Sequence, residues 1–337
     1  MTGRNALRGI TRQRFLGLTS LGVLGLAACS TDKNEAKNPT PDNRASTGQS
    51  SGPAAFDSKF THHTANVNGV RIHYVIGGRG DPIVLLHGFP ETWYTWHKVM
   101  PSLAEKHTVI APDLRGVGES SLEDSGYDKT TMAEDVYQLV RKLGLGEVSV
   151  VGHDLGAWVA YAYVREHREE VRRLVFMSAG LPGFGLERLL DFREPGQGLP
   201  HLVYFMKRDL PTLIEGQERY FLTNFVAGGE DKAGSVSGTE AMDEYVRAYS
   251  GPGRIEAGLK QYRALYQDAE DNRKGAMPKL TMPVLALGRG SGAPGLALDS
   301  MRQVAKNVVG SGIEGSGHFL QEEQSEEVAS RLLNFLQ

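Results

Sequence analysis

The chain has 337 residues, 40% of them hydrophobic and 23% charged, enough for one sizeable core and an inserted subdomain. Its formal net charge is −3 and it has no dense Lys/Arg block, so the sequence carries no electrostatic footprint for nucleic acid. No repeat period, metal-ligand cluster or Gly-rich nucleotide loop stands out, and the single cysteine, Cys29, excludes an internal disulfide.

Residues 1–28 have the layout of a signal peptide. Arg4, Arg8, Arg12 and Arg14 supply positive charge with no acid, and Phe15 to Ala28 is apolar and rich in Leu, Gly and Ala. Leu26-Ala27-Ala28-Cys29 resembles a bacterial lipobox, which implies lipidation of Cys29 after cleavage before it. Thr11-Arg12-Gln13-Arg14-Phe15-Leu16 resembles a twin-arginine signal, but Gln13 separates the arginines, so the export route stays open between Sec and Tat. Losing these arginines takes the formal charge from −3 to −7, so an acidic body would need its lipid to stay at a membrane. Ser30 to Ala55 contains no Val, Ile, Leu, Met or aromatic residue and cannot bury enough surface to order itself. Residues 29–58 therefore read as a tether holding the body on the order of 30 Å from its anchor. The expectation is an exported, membrane-anchored lipoprotein on the extracytoplasmic side.

From residue 59 onward, apolar runs alternate with amphipathic stretches, which predicts a mainly parallel sheet with helices on both faces. Pro82 to Leu86 reads as a strand buried on both faces and ends in His87-Gly88-Phe89-Pro90. Trp93, Tyr94 and Trp96 follow as pocket-wall and core aromatics. Thr108 to Asp113 is a further apolar run. Val148 to Val151 leads into Gly152-His153-Asp154-Leu155-Gly156 and a helix from Leu155 to Arg165. Glycines two positions either side of Asp154 suit a strained strand-turn-helix elbow that thrusts its central side chain out as a nucleophile. Runs at Arg173–Ser178 and Pro283–Leu287 predict the sixth and seventh strands, with helical patterns between them at Leu213–Phe225 and Thr239–Tyr249. Gly315-Ser316-Gly317-His318-Phe319 precedes a polar helix, Gln324 to Leu336, and offers His318 as base.

These segments, in this order, resemble the α/β-hydrolase fold, and specifically its epoxide hydrolase and haloalkane dehalogenase branch, across roughly residues 60–337. The resemblance implies a core from 59–180 and 276–337 around a helical lid at 181–275. It also implies an Asp154 nucleophile, His318 as base, and an oxyanion hole from the N–H groups of Phe89 and Leu155, with His87 structural. A carboxylate attacks saturated electrophilic carbon to give an ester that the histidine hydrolyses with water. Esterase and peptidase chemistry is disfavoured, because attack on an ester would yield an anhydride.

Gly198 to Phe205 resembles the first lid-donor segment of secreted bacterial epoxide hydrolases, and Gly258 to Leu265 the second. Together they imply that His201 and Tyr262 protonate the opened ring, with Tyr245 and Tyr249 as alternates. The haloalkane enzymes place Trp after the nucleophile and the fluoroacetate enzymes place arginines there and one turn later. Leu155 and Trp158 occupy those positions, so the dehalogenase reading is an alternative only. The triad acid is missing: Ser178 stands where relatives carry Glu or Asp, and Gly288 to Ala293 contains no acid. Asp299 is the substitute offered, with Glu314 behind it. A degenerate, slowly turning binding member is therefore a further alternative. The expected partner is a small electrophilic substrate, with no cofactor and no metal.

Overall fold

A computed structural model describes residues 59–190, 200–227, 236, 239–290 and 295–337. The predicted signal, Cys29 and tether lie outside these residues. Eight strands form one sheet: β1 (Phe60–Val67), β2 (Val70–Gly78), β3 (Asp81–Leu86), β4 (His107–Pro112), β5 (Val148–His153), β6 (Val171–Met177), β7 (Val284–Arg289) and β8 (Val308–Ile313). Their spatial order is β1-β2-β4-β3-β5-β6-β7-β8. β2 is antiparallel to both β1 and β4, and every later pairing is parallel.

The continuous apolar runs have a simple cause: these strands are covered on both faces. Helices α1 (Met100–Leu103) and α12 (Ser325–Leu336) lie on one side, and α2 (Lys129–Lys142), α3 (Leu155–Glu166) and α10 (Gly295–Val304) on the other. Alternation sends Val84, Leu86, Val150, Leu174 and Phe176 to the α2–α3 side, and Ile83, Leu85, Val151, Val175 and Met177 to the α12 side. At about 1.5–3 kcal/mol per fully buried large aliphatic side chain, this two-sided packing is the main stabilising term. Among the described residues no helix is long and apolar enough to cross a membrane.

Between β6 and β7 the chain forms α4 (Pro200–Tyr204), α5 (Leu210–Ile214), α6 (Glu218–Tyr220) with a π turn at Phe221–Ala227, α7 (Glu240–Tyr249), α8 (Arg254–Arg263) and α9 (Leu265–Gly275). The single helical stretch expected at Leu213–Phe225 is broken, because Gly216 adopts φ +80 and ends one helix before the next begins. Buried contacts fasten α8 and α9 to the core. Lys129 Nζ donates to Gln261 O at 2.8 Å and to Asp268 Oδ2 at 3.1 Å, and Arg165 donates to Asn272 Oδ1 at 2.9 Å. A short α11 (Leu320–Glu323) follows the His318 loop.

Candidate active site

Asp154 occupies the turn between β5 and α3 with φ +52 and ψ −122, a backbone conformation that costs a non-glycine residue of order 1–3 kcal/mol. Its surroundings hold it there. The Asp154 N–H donates to Met177 O at 3.1 Å. A Cβ at Gly152 would lie 2.3 Å from Gly156 O, and one at Gly156 would lie 2.3 Å from Leu86 O, so the elbow closes only around glycine at both places.

The Phe89 N–H, from the loop after β3, donates to Asp154 Oδ1 at 3.0 Å, while His318 Nε2 stands 3.5 Å from Oδ2. The two carboxyl oxygens are thus distinguished: Oδ1 accepts a backbone N–H and Oδ2 faces the His318 ring. Leu155 opens α3, so its N–H belongs to the first turn, where helical N–H groups lack an intrahelical acceptor. Burial alone would raise the Asp154 carboxyl, but His318, His153 and the Phe89 N–H outweigh it and bring the group down to about 2. The carboxylate is ionised throughout the physiological range.

Ser178 follows β6 with φ +52, pinned by its N–H to Leu287 O at 2.9 Å. Its Oγ lies 3.1 Å from His318 Nδ1, so the position where the sequence resemblance implies an acid is filled here by a hydroxyl in hydrogen-bond contact with His318. Asp299 does not take the acid's place. It lies on the outer face of α10, with an exposed side chain 3.9 Å from Arg188. Glu314, just past β8, is exposed.

A second charged unit, not anticipated from the sequence, lies behind the triad. Glu91 and His153 are fully buried, with His153 Nδ1 2.9 Å from Glu91 Oε2 and His153 Nε2 donating to the carbonyl of His318 at 2.8 Å. Glu91 also accepts from Gly88 N–H, Thr95 Oγ1 and Gln321 Nε2. Burial works against both charges, but their mutual contact raises the His153 pKa and lowers that of Glu91, so the pair is held ionised. The signal was present in the sequence: an acid four residues after His87, in the turn that follows β3, and a histidine next to Asp154 at the end of β5. What the sequence lacked was their burial.

His87 is neutral and structural. Leu114 N–H donates to its Nε2 at 3.0 Å, Nδ1 is 2.8 Å from Gly88 O, and burial lowers its pKa. Trp93 and Trp96 are core residues, and Tyr94 stacks on His97.

The lid brings His201 and Tyr262 to one aromatic cluster. Both rings pack on Phe205, at 5.3 and 5.0 Å, and Tyr262 meets the ring of Phe89 edge-on at 5.6 Å. Tyr249 also abuts Phe89, but its hydroxyl donates to Glu91 O at 3.1 Å, and the Tyr245 hydroxyl donates to Glu322 Oε1 at 2.5 Å. The alternates are thus engaged elsewhere. Trp158 donates its indole N–H to Gly180 O at 2.7 Å and Leu155 is wholly buried, so neither offers a halide or carboxylate ligand. Among the described residues no group of three or more His, Cys, Asp or Glu is placed to hold a metal.

The α/β hydrolase fold family matches residues 81–325. A soluble epoxide hydrolase of Corynebacterium sp. is 39% identical over 284 residues, covering 83% of this chain and 98% of that protein. Epoxide hydrolase A of Mycobacterium tuberculosis is 29% identical, covering 82% and 97%. Among solved structures, the Cfl2 protein of Burkholderia cenocepacia aligns with a TM-score of 0.78 at 40% identity, covering 83% of this chain and 96% of that one. The epoxide hydrolase CorEH aligns with a TM-score of 0.72 at 36% identity, covering 82% and 98%. With the strained Asp154 turn, the Phe89 N–H and His318 gathered beyond the carboxyl ends of β5, β3 and β8, and with the family matching residues 81–325, the protein is a member of the α/β hydrolase fold family.

Proposed function

We propose that the protein is an epoxide hydrolase working through a covalent Asp154 ester. The observation that carries this is the asymmetric binding of the Asp154 carboxylate: Oδ1 accepts from Phe89 N–H and Oδ2 faces His318. Oδ2 attacks a ring carbon, the C–O bond of the epoxide breaks, and the departing alkoxide takes a proton from Tyr262, with His201 as its partner in the lid. Oδ1 then becomes the ester carbonyl oxygen. Water attacks the ester carbon, His318 Nε2 takes the water's proton, and the oxyanion on Oδ1 is stabilised by the N–H groups of Phe89 and Leu155. Collapse breaks the Cγ–Oδ2 bond: the former Oδ2 leaves in the diol with the proton held by His318 Nε2, the water's second proton returns to Tyr262, and the restored carboxylate carries the water's oxygen.

One turnover in heavy-oxygen water tests this. The label belongs in the Asp154 carboxylate and not in the diol; label entering the diol directly in the first turnover rules the ester out.

A specific observation also favours slow release of that ester. Ser178 Oγ can accept the His318 Nδ1–H, which holds the tautomer that leaves Nε2 free as base, but a neutral hydroxyl does not balance the imidazolium that forms. The same position in relatives is a carboxylate by resemblance. The body is further proposed to be anchored outside the membrane through a lipid on Cys29, which incorporation of a labelled fatty acid, lost in Cys29→Ser, would test.

A further inference from the structure

The sheet's last strand leaves an edge open. Among the described residues β8 pairs only with β7, and along the strand Val309 is 56% exposed and Gly310 is exposed. Edge strands are usually guarded by a proline, a bulge or an internal charge. Val308-Val309-Gly310-Ser311-Gly312-Ile313 has none of these, and it pairs with β7 in unbroken register.

The hydrogen-bond direction along β8 can be assigned. Val284 N–H donates to Asn307 O at 2.8 Å, and Val284 is in register with Val308. In a parallel ladder this commits Asn307, Val309, Ser311 and Ile313 to β7 and turns the N–H and C=O groups of Val308, Gly310 and Gly312 outward. Those three outward positions are symmetric about Gly310. An antiparallel copy of the same strand, centred on Gly310, therefore meets outward group with outward group: Gly310 with Gly310, and Val308 with Gly312 in both directions. That gives three hydrogen-bonded pairs and about six hydrogen bonds. A shift of one residue would set outward groups against inward ones.

The charges at the strand's ends obey the same symmetry. Lys306 lies before β8 and Glu314 after it, both exposed, and antiparallel pairing about Gly310 sets Lys306 of each copy beside Glu314 of the other. A parallel pairing would set like charges together. Glycine at the centre, with no side chain on the dyad, permits close approach of the two edges.

We propose that a second copy of this chain docks on β8 about a two-fold axis through Gly310, joining the two sheets into one continuous sheet. The interface is isologous, as two-fold pairing requires, and closes on itself without forming fibres.

The test uses the full chain with Cys29→Ser, to remove the lipid and the native thiol. Light scattering after size exclusion at tens of micromolar should give twice the chain mass. Gly310→Pro, which removes an outward N–H that β7 does not use, should give the monomer. Lys306→Glu should weaken association about tenfold, and adding Glu314→Lys should restore it, an outcome that misfolding cannot mimic. Gly310→Cys should cross-link across the dyad under mild oxidation, while Thr64→Cys on the opposite edge strand should not. A monomeric wild type, a dimer indifferent to Gly310→Pro, or equal cross-linking from both cysteines would overturn the proposal. So would a monomer whose amides at residues 308–313 resist hydrogen exchange, because another part of the chain would then occupy the edge.

Discussion

The two ends of the Asp154 carboxylate face differently equipped surroundings. On the Oδ1 side, the Phe89 N–H holds the oxygen in a site enforced by backbone and by glycines that tolerate no Cβ. On the Oδ2 side, the base is oriented by one neutral hydroxyl, Ser178 Oγ at 3.1 Å, and by a backbone carbonyl contact to the buried His153. Backbone donors cannot be lost by side-chain substitution, whereas the orienting acid can. A site of this design keeps its power to be alkylated more robustly than its power to release the product.

The sharpest way to break this comparison is to remove the nucleophile. Asp154→Ala should lower diol formation by about 10⁴-fold or more and abolish any covalent adduct in intact-mass measurements. Next, His318→Gln separates the halves: diol formation should fall by about 10³-fold while the adduct still forms and persists. Loss of the adduct in His318→Gln would mean that the histidine also serves the attack. Ser178→Glu sharpens the contrast from the other direction, with ester hydrolysis expected to rise on the order of 10²-fold and adduct formation nearly unchanged. Tyr262→Phe should slow ring opening by about 10²-fold without changing adduct decay, measured by single-turnover mass spectrometry.

The smallest effect concerns pH. Burial raises the Glu322 pKa to about 7, against contacts from Tyr245 and Lys98 that lower it and the nearby Glu91 that raises it. A carboxyl raised in the folded state contributes stability that is complete below its unfolded value and is lost as pH rises through about 7. Melting temperature should thus fall as pH rises from about 4.5, the ordinary glutamate value, to about 7 and level off above that, and the slope should flatten in Glu322→Gln. Adduct formation, by contrast, should not vary with Asp154 ionisation over that range, since that group sits near 2.

The elements that could be read from the sequence are those whose chemistry is local. The elbow, the Phe89 turn and the His318 loop each announce themselves by glycines beside a functional side chain at a strand's end, and strand-end positions converge in an open parallel sheet. Ser178 was legible for the same reason, as a position lacking an acid. Its contact with His318 was not, because a hydroxyl could have pointed anywhere. Asp299 was misjudged since sequence distance from β7 says nothing about which face of α10 a residue takes, and that face is solvent. Glu91 and His153 were in plain view as residues, but their pairing depends on full burial across β3 and β5, a property of packing. The lid was legible as helical and not in its breaks, because Gly216 ends a helix by its backbone angle while the apolar pattern continues past it.

The most direct measurement is a rapid-quench intact-mass time course with excess epoxide on the wild type and on Ser178→Glu. The expected result is a substrate-sized adduct on Asp154 that builds to most of the wild-type protein and clears much faster in Ser178→Glu. An adduct that never accumulates in the wild type, or that decays equally fast in both proteins, would contradict a site whose attacking half is intact and whose water-activating half is impaired.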